Sequence, residues 1–303
     1  MKPRKHPAAL LVLLALCVLF AMGSCGKAED KSTEAASAKY PKLLGEVRKT
    51  DDYTENELYI WNEITERKVY CHEVIPASYK EGQKLPVIVY VHGYNGSADA
   101  LISEPRVLAK DGIAGFAFEC CGGNKVTPKS DGKEINPSHY SSRATDLETA
   151  LAYVKTLPYV DTDRIYIYGQ SYGGIVCMST APRHNGDIAG LMIESSGVGR
   201  DGGLIRGQGS GIVDDYCVPD DWQGYLKQYT GDVIICNSEG DTTINTATGA
   251  FTEELYKSRE NGGSVTYVLC PEGEHAFNSF SKEGQEMTYA AIRAMVAASA
   301  PGN

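Results

Sequence analysis

From about Leu58 onward the hydrophobic pattern alternates between short apolar runs and longer stretches with helical spacing. Pro86 to His92 (Pro-Val-Ile-Val-Tyr-Val-His) is continuously apolar and β-branched, as expected of a strand covered on both faces. Arg67–Ile75, Ile113–Glu119, Arg164–Tyr168, Ala189–Glu194, Asp232–Cys236 and Ser264–Leu269 read as further strands. Between Arg143 and Leu157, residues Ala144, Leu147, Leu151 and Val154 recur at helical spacing, and Pro158 ends the segment. Tyr172–Thr180, Ala247–Arg259 and Lys282–Ala298 complete the expected helices. Strands alternating with helices predict an α/β domain with a mostly parallel central sheet and helices on both faces. Sites in such sheets lie beyond the carboxyl ends of the strands, so the residues that follow each strand carry the search for chemistry. The alternation fails across residues 197–222, a stretch rich in Gly and Asp that is too long for a simple connection. It is either a cap over the site or a surface insertion.

The first residues follow a different pattern. Lys2, Arg4 and Lys5 precede an apolar stretch from Ala8 to Met22, short for a membrane span and of the length of a signal sequence. It ends in Met22-Gly23-Ser24-Cys25, which resembles the lipobox of bacterial lipoproteins, with Met22 where that motif usually has Leu. The resemblance implies a signal peptide over residues 1–24 and a diacylglycerol on Cys25, a lipid that would hold the protein at a membrane of the cell envelope. Cleavage near Ser24 without lipidation, giving a secreted protein, is the alternative, and an uncleaved anchor is the third. Residues 26–40 are small, polar and charged, so residues 25–50 are expected to form a lipidated N-terminus and flexible tether, with the folded domain over 51–303.

Charge and cysteine content narrow the partners. The net charge is -10, with no basic block or nucleic-acid motif, which argues against nucleic acid as a partner. Of nine cysteines, Cys17 lies in the signal and Cys25 is the lipidation candidate. The other seven are an odd number, so one at least is unpaired or pairs between chains. No C-x-x-C or Cys/His spacing suggests zinc, and the oligomeric state is not encoded in any recognisable pattern.

The chemistry gathers after three strands. Strand Arg164–Tyr168 runs into Gly169-Gln170-Ser171-Tyr172-Gly173, a G-x-S-x-G turn between a strand and a helix. Such a turn lifts its serine above the sheet, and glycines two before and two after let strand and helix pass closely. Ser171 is the candidate nucleophile, and the backbone N–H of Tyr172 the first oxyanion donor. A serine hydroxyl needs a base. Among six histidines, His275 alone follows the serine and also sits just beyond a strand, in Glu274-His275-Ala276-Phe277. His139 and His184 read as solvated, and His72 lies inside a strand. The acid that would orient His275 falls after strand Asp232–Cys236, where Asp241 is favoured over Glu239 because Gly240 suits the turn. The second oxyanion donor falls in His92-Gly93-Tyr94-Asn95-Gly96, on the N–H of Tyr94.

Taken together, His92-Gly93, Gly169–Gly173, Asp241 and His275 resemble the α/β-hydrolase superfamily from about Leu58 to the C-terminus. Phe118-Glu119-Cys120-Cys121-Gly122-Gly123, Asp146-Leu147 and Leu157-Pro158-Tyr159-Val160-Asp161 are similar to bacterial cinnamoyl (feruloyl) esterase-like and dienelactone-hydrolase-like enzymes. Tyr172 departs from the Gln that often follows the serine there, and Ser-Tyr-Gly-Gly also resembles the catalytic domain of prolyl-oligopeptidase-type peptidases. The resemblance implies a serine esterase on short or aromatic acyl esters, small or linked to polysaccharide, needing no metal or organic cofactor. A peptidase of the prolyl-oligopeptidase kind and a non-catalytic binding lipoprotein on the same scaffold are the alternatives.

Overall fold

The computed structural model describes residues 39–120, 127–131, 140–202 and 218–299. The expected signal (1–24), Cys25, Cys121, Cys217 and the centre of the 197–222 segment lie outside the described residues. The folded unit begins at Tyr40. Its nine described strands form one sheet in the order β1-β2-β3-β5-β4-β6-β7-β8-β9. They are β1 (Lys42–Lys49), β2 (Tyr53–Asn62), β3 (Arg67–Pro76), β4 (Leu85–Val91), β5 (Ala114–Phe118), β6 (Val160–Gln170), β7 (Gly190–Glu194), β8 (Asp232–Ser238) and β9 (Val265–Cys270). The six described α-helices are α1 (Ser103–Leu108), α2 (Tyr140–Val154), α3 (Tyr172–Thr180), α4 (Trp222–Lys227), α5 (Thr246–Lys257) and α6 (Lys282–Ala298). β1, β2, β3 and β5 pair antiparallel, whereas β5, β4, β6, β7, β8 and β9 run parallel.

The period-two rule sorts β4 cleanly. Val87, Val89 and Val91 enter one core with Leu147, Leu151 and Val154 of α2 and Ile175 and Val176 of α3. Ile88 and Tyr90 enter the opposite core with Leu108 of α1 and Ile292 and Val296 of α6. Both faces are therefore dry, which is why β4 reads as an unbroken apolar run. Chain order reverses at β4: β5 lies on one side of it and β6 on the other. A crevice opens above such a switch point, and the turns after β4 and β6 meet there.

Two elements differ from the sequence expectation. Residues 42–49, expected within the tether 25–50, are strand β1, laddered antiparallel on β2 from Lys42 opposite Tyr59 to Lys49 opposite Thr54. Leu43, Leu44 and Val47 stay exposed, so backbone hydrogen bonds and not burial hold this strand, and no apolar pattern announces it. β2 also falls outside the expected set of strands. Its buried positions include Glu55 and Asn62, polar residues that broke the apolar reading. Glu55 takes two hydrogen bonds from Arg106, and Asn62 donates to Asp146 at 2.7 Å. Among the described residues no helix is long and apolar enough to cross a membrane.

Candidate active site

β6 delivers Ser171 on a forced turn. Ser171 has φ 51 and ψ -118, left-handed backbone that an L-residue adopts only under constraint. The constraint is packing. A Cβ on Gly173 would overlap the Val91 carbonyl oxygen and come within 2.7 Å of His92 O. A Cβ on Gly169 would overlap Gly173 O and come within 2.6 Å of Gly174 Cα. These glycines are needed for close approach, since neither carries a positive φ. The Ser171 N–H donates to Glu194 O on β7 at 2.8 Å, tying the turn to its neighbouring strand.

His275 stands between Ser171 and Asp241. Its Nε2 lies 2.9 Å from Ser171 Oγ and its Nδ1 lies 2.8 Å from Asp241 Oδ2. A carboxylate only accepts, so the imidazole proton sits on Nδ1 and the Nε2 lone pair faces the serine hydroxyl. Asp241 is buried, and its Oδ1 accepts the N–H groups of Thr243 (2.8 Å) and Ile244 (2.9 Å). Both carboxylate oxygens are thus committed, one to the backbone and one to the imidazole. Glu239, the rival acid, is exposed. Gly240 serves differently from the expectation: its φ is ordinary, and a side chain there would strike the Gly273 carbonyl oxygen. The glycine lets the β8 and β9 loops touch, and that contact sets Asp241 beside His275.

The His275 loop is anchored from below by residues the sequence reading passed over. Ser195, at φ 46 just past β7, accepts the Ala276 N–H on its Oγ at 3.0 Å. Ser238 Oγ lies 2.7 Å from the carbonyls of Glu272 and Gly273. Glu194 is fully buried beneath the elbow, and burial pushes its carboxyl up to about 8. Nothing in the local pattern distinguishes these from ordinary loop serines and a strand-end glutamate.

The loop after β4 carries Tyr94. Gly93 sits against the elbow: a Cβ there would lie 3.3 Å from Ser171 Cβ. His92 is buried behind it. Its Nε2 accepts the Cys120 N–H at 2.9 Å, which forces the proton onto Nδ1, and Nδ1–H donates to Gly93 O at 2.7 Å. Burial, with the nearby Arg143 cation, depresses the imidazole to about 3, so it stays neutral in this role. Tyr172 opens α3, so its N–H lies at the positive end of that helix. The rings of Tyr94 and Tyr172 meet edge to face at 6.3 Å.

Glu57, His72 and Asp99 form the one grouping among the described residues able to offer three metal ligands. Lys129 already balances it, with Nζ 3.1 Å from Asp99, 4.0 Å from Glu57 and 2.8 Å from the Tyr70 hydroxyl. Its residues lie on β2 (Glu57), on β3 (His72) and in the short turn after β4 (Asp99). Cys71, Cys177, Cys236 and Cys270 are buried thiols, and burial pushes all four up, away from thiolate chemistry.

A parallel sheet with a strained strand–serine–helix turn at its switch point is the α/β-hydrolase fold, and this chain has it. A family model described as serine aminopeptidase, S33, matches residues 82–206. Est1E of Butyrivibrio proteoclasticus, solved with ferulic acid bound, superposes with a TM-score of 0.59 at 20% identity, over 76% of this chain and 95% of that one. Acetyl xylan esterase 1 of Thermoanaerobacterium sp. gives 0.61 at 15% identity, over 89% and 93%. Among curated proteins, a polyketide transferase of Stachybotrys chlorohalonatus is 25% identical over 104 residues, about a third (34%) of each chain. The solved structures share this chain's fold.

Proposed function

We propose that this protein is a serine esterase that cleaves carboxylic esters with short or aromatic acyl groups through an acyl-enzyme. The observation that carries the reading is the continuous hydrogen-bonded chain Ser171–His275–Asp241, built on a serine held at positive φ. Ser171 Oγ bonds to the acyl carbon while its proton passes to His275 Nε2 and the carbonyl π pair moves to oxygen. The N–H groups of Tyr94 and Tyr172 receive that oxyanion. Collapse expels the alcohol, which takes the proton from His275. Water then adds by the same route and releases the acid. No metal or organic cofactor enters these steps.

The acyl class is supported by the likeness to Est1E, which binds ferulic acid, and to an acetyl xylan esterase. The aminopeptidase family match supports a second reading, in which the leaving group is an amine. In the lipobox reading, the mature chain begins at Cys25 on a membrane of the cell envelope; a palmitate label lost in Cys25→Ser would support it, and a label kept would end it.

Residues 26–303 would be assayed on p-nitrophenyl acetate, butyrate and octanoate, methyl ferulate and an aminoacyl p-nitroanilide, beside Ser171→Ala. Ester turnover that falls at least about a thousandfold in the variant supports the esterase reading. Anilide cleavage without ester cleavage favours the peptidase. Inert wild type that a fluorophosphonate also fails to label rejects both.

A further inference from the structure

Arg143 is fully buried, and its Nε and Nη2 have no hydrogen-bond partner among the described residues. An unpaired buried guanidinium is costly, so its place calls for a reason. Asp146, one turn further along α2, is engaged by Arg67 at 3.2 Å and by Asn62 at 2.7 Å. What Arg143 does touch is the elbow and the loop opposite it. Its Nη1 lies 3.5 Å from Gly93 O, and its guanidinium carbon lies 4.8 Å from the centre of the Tyr172 ring.

The Gly93 carbonyl therefore faces three donors: His92 Nδ1–H at 2.7 Å, the Gly96 N–H at 3.2 Å and Arg143 Nη1 at 3.5 Å. Gly96 is the residue that permits this, since a Cβ there would press on the His92 ring at 3.0 to 3.2 Å. The peptide from Gly93 to Tyr94 is trans. In a trans peptide the C=O and the following N–H point opposite ways and are electronically coupled. Drawing the Gly93 oxygen toward the buried cation turns the Tyr94 N–H away from it, in a peptide that abuts the elbow, since a Cβ on Gly93 would lie 3.3 Å from Ser171 Cβ. It also polarises that N–H as a donor.

Resting on the serine-esterase reading, we propose that Arg143 is a positioning residue for the oxyanion site: with His92 it fixes and polarises the Gly93–Tyr94 peptide so that the Tyr94 N–H receives the developing negative charge. The anion formed when Ser171 adds to the carbonyl supplies a counter-charge that the guanidinium does not find among the described residues before reaction. The stabilisation is thus larger in the transition state than in the ground state, so it acts on kcat more than on KM.

The test compares wild type, Arg143→Met and Arg143→Lys on p-nitrophenyl acetate, and measures Ki for a trifluoromethyl ketone, which forms a hemiketal oxyanion on an activated serine. Losing one oxyanion donor outright costs about 10²–10³ in kcat, so weakening one is expected to lower kcat about 10–100-fold in Arg143→Met, with KM within about threefold. The ketone Ki should rise in proportion to the loss in kcat/KM. Arg143→Lys should recover part of both. If Arg143→Met does not fold, as judged by circular dichroism, Arg143→Lys decides alone, with an expected loss of about tenfold shared by kcat and ketone affinity. A folded variant with kcat within threefold of wild type overturns the proposal, as does a kcat loss that leaves ketone affinity unchanged. A wild type with no turnover and no fluorophosphonate label would instead defeat the esterase reading beneath it.

Discussion

Asp241→Asn tests the proposed acid by the arrangement of its two oxygens. Oδ1 holds the Thr243 and Ile244 N–H groups, and Oδ2 holds His275. Asparagine has one oxygen and one amide nitrogen. Kept on the two backbone donors, the oxygen leaves the NH2 facing His275 Nδ1. The imidazole must then accept at Nδ1 and carry its proton on Nε2, so no lone pair faces Ser171. The productive tautomer returns only if the amide flips, which sets its NH2 against two backbone N–H groups. Thr243 is exposed and Ile244 half-buried, so water relieves part of the cost; leaving both donors without the carboxylate costs about 2 kcal/mol, equivalent to roughly 30-fold in rate. The variant also lacks the negative charge that steadies the imidazolium, so kcat/KM is expected to fall about 10⁴-fold. The assay is kcat/KM on p-nitrophenyl acetate near pH 8, with the fluorophosphonate labelling rate beside it. Folding should be preserved, because shape and the backbone bonds are kept. A loss below tenfold in a folded variant would refute the assignment. Glu239→Gln is the control, expected to stay within about twofold because Glu239 is exposed; a large loss there would move the acid to Glu239.

Two further outcomes follow from the packing and the buried imidazole. Gly173→Ala places a methyl onto the Val91 carbonyl oxygen, so the elbow must open; we expect about 3 kcal/mol or more of destabilisation by urea unfolding, and a change under 1 kcal/mol would show that the turn is slack. His92 is held near 3 when folded against an ordinary value near 6.5, so the folded state binds fewer protons between those values. Its stabilising contribution is complete above about 6.5 and is lost as the pH falls toward 3. The loss is about 2 kcal/mol between pH 6.5 and 5. His92→Gln should flatten that part of the pH–stability curve; an unchanged slope would mean that His92 is not kept neutral by its surroundings.

Much of this molecule is local information, and the sequence by itself carries it. The apolar run at β4, the helical spacing of Ala144, Leu147, Leu151 and Val154, and the glycines around Ser171 each record a requirement met within a dozen residues. The order Ser171, Asp241, His275 was legible because each follows a strand, and strand ends in a parallel sheet share one edge. Other features were settled only in three dimensions. β1 is held by a backbone ladder that leaves its apolar side chains outside, so no burial pattern betrays it. Gly240 looked like a turn residue, but its reason is Gly273, thirty-odd positions away in the chain and in contact in the fold. The proton on His92 is placed by the Cys120 N–H, and the burial of Arg143 against the Gly93 carbonyl and the Tyr172 ring is visible only once β4, α2 and the elbow are packed together. Hydrophobic period reports which face of an element is dry, whereas hydrogen-bond partners and close backbone approaches depend on which distant segment arrives at that face. Those contacts, absent from any local window, set the geometry around Ser171.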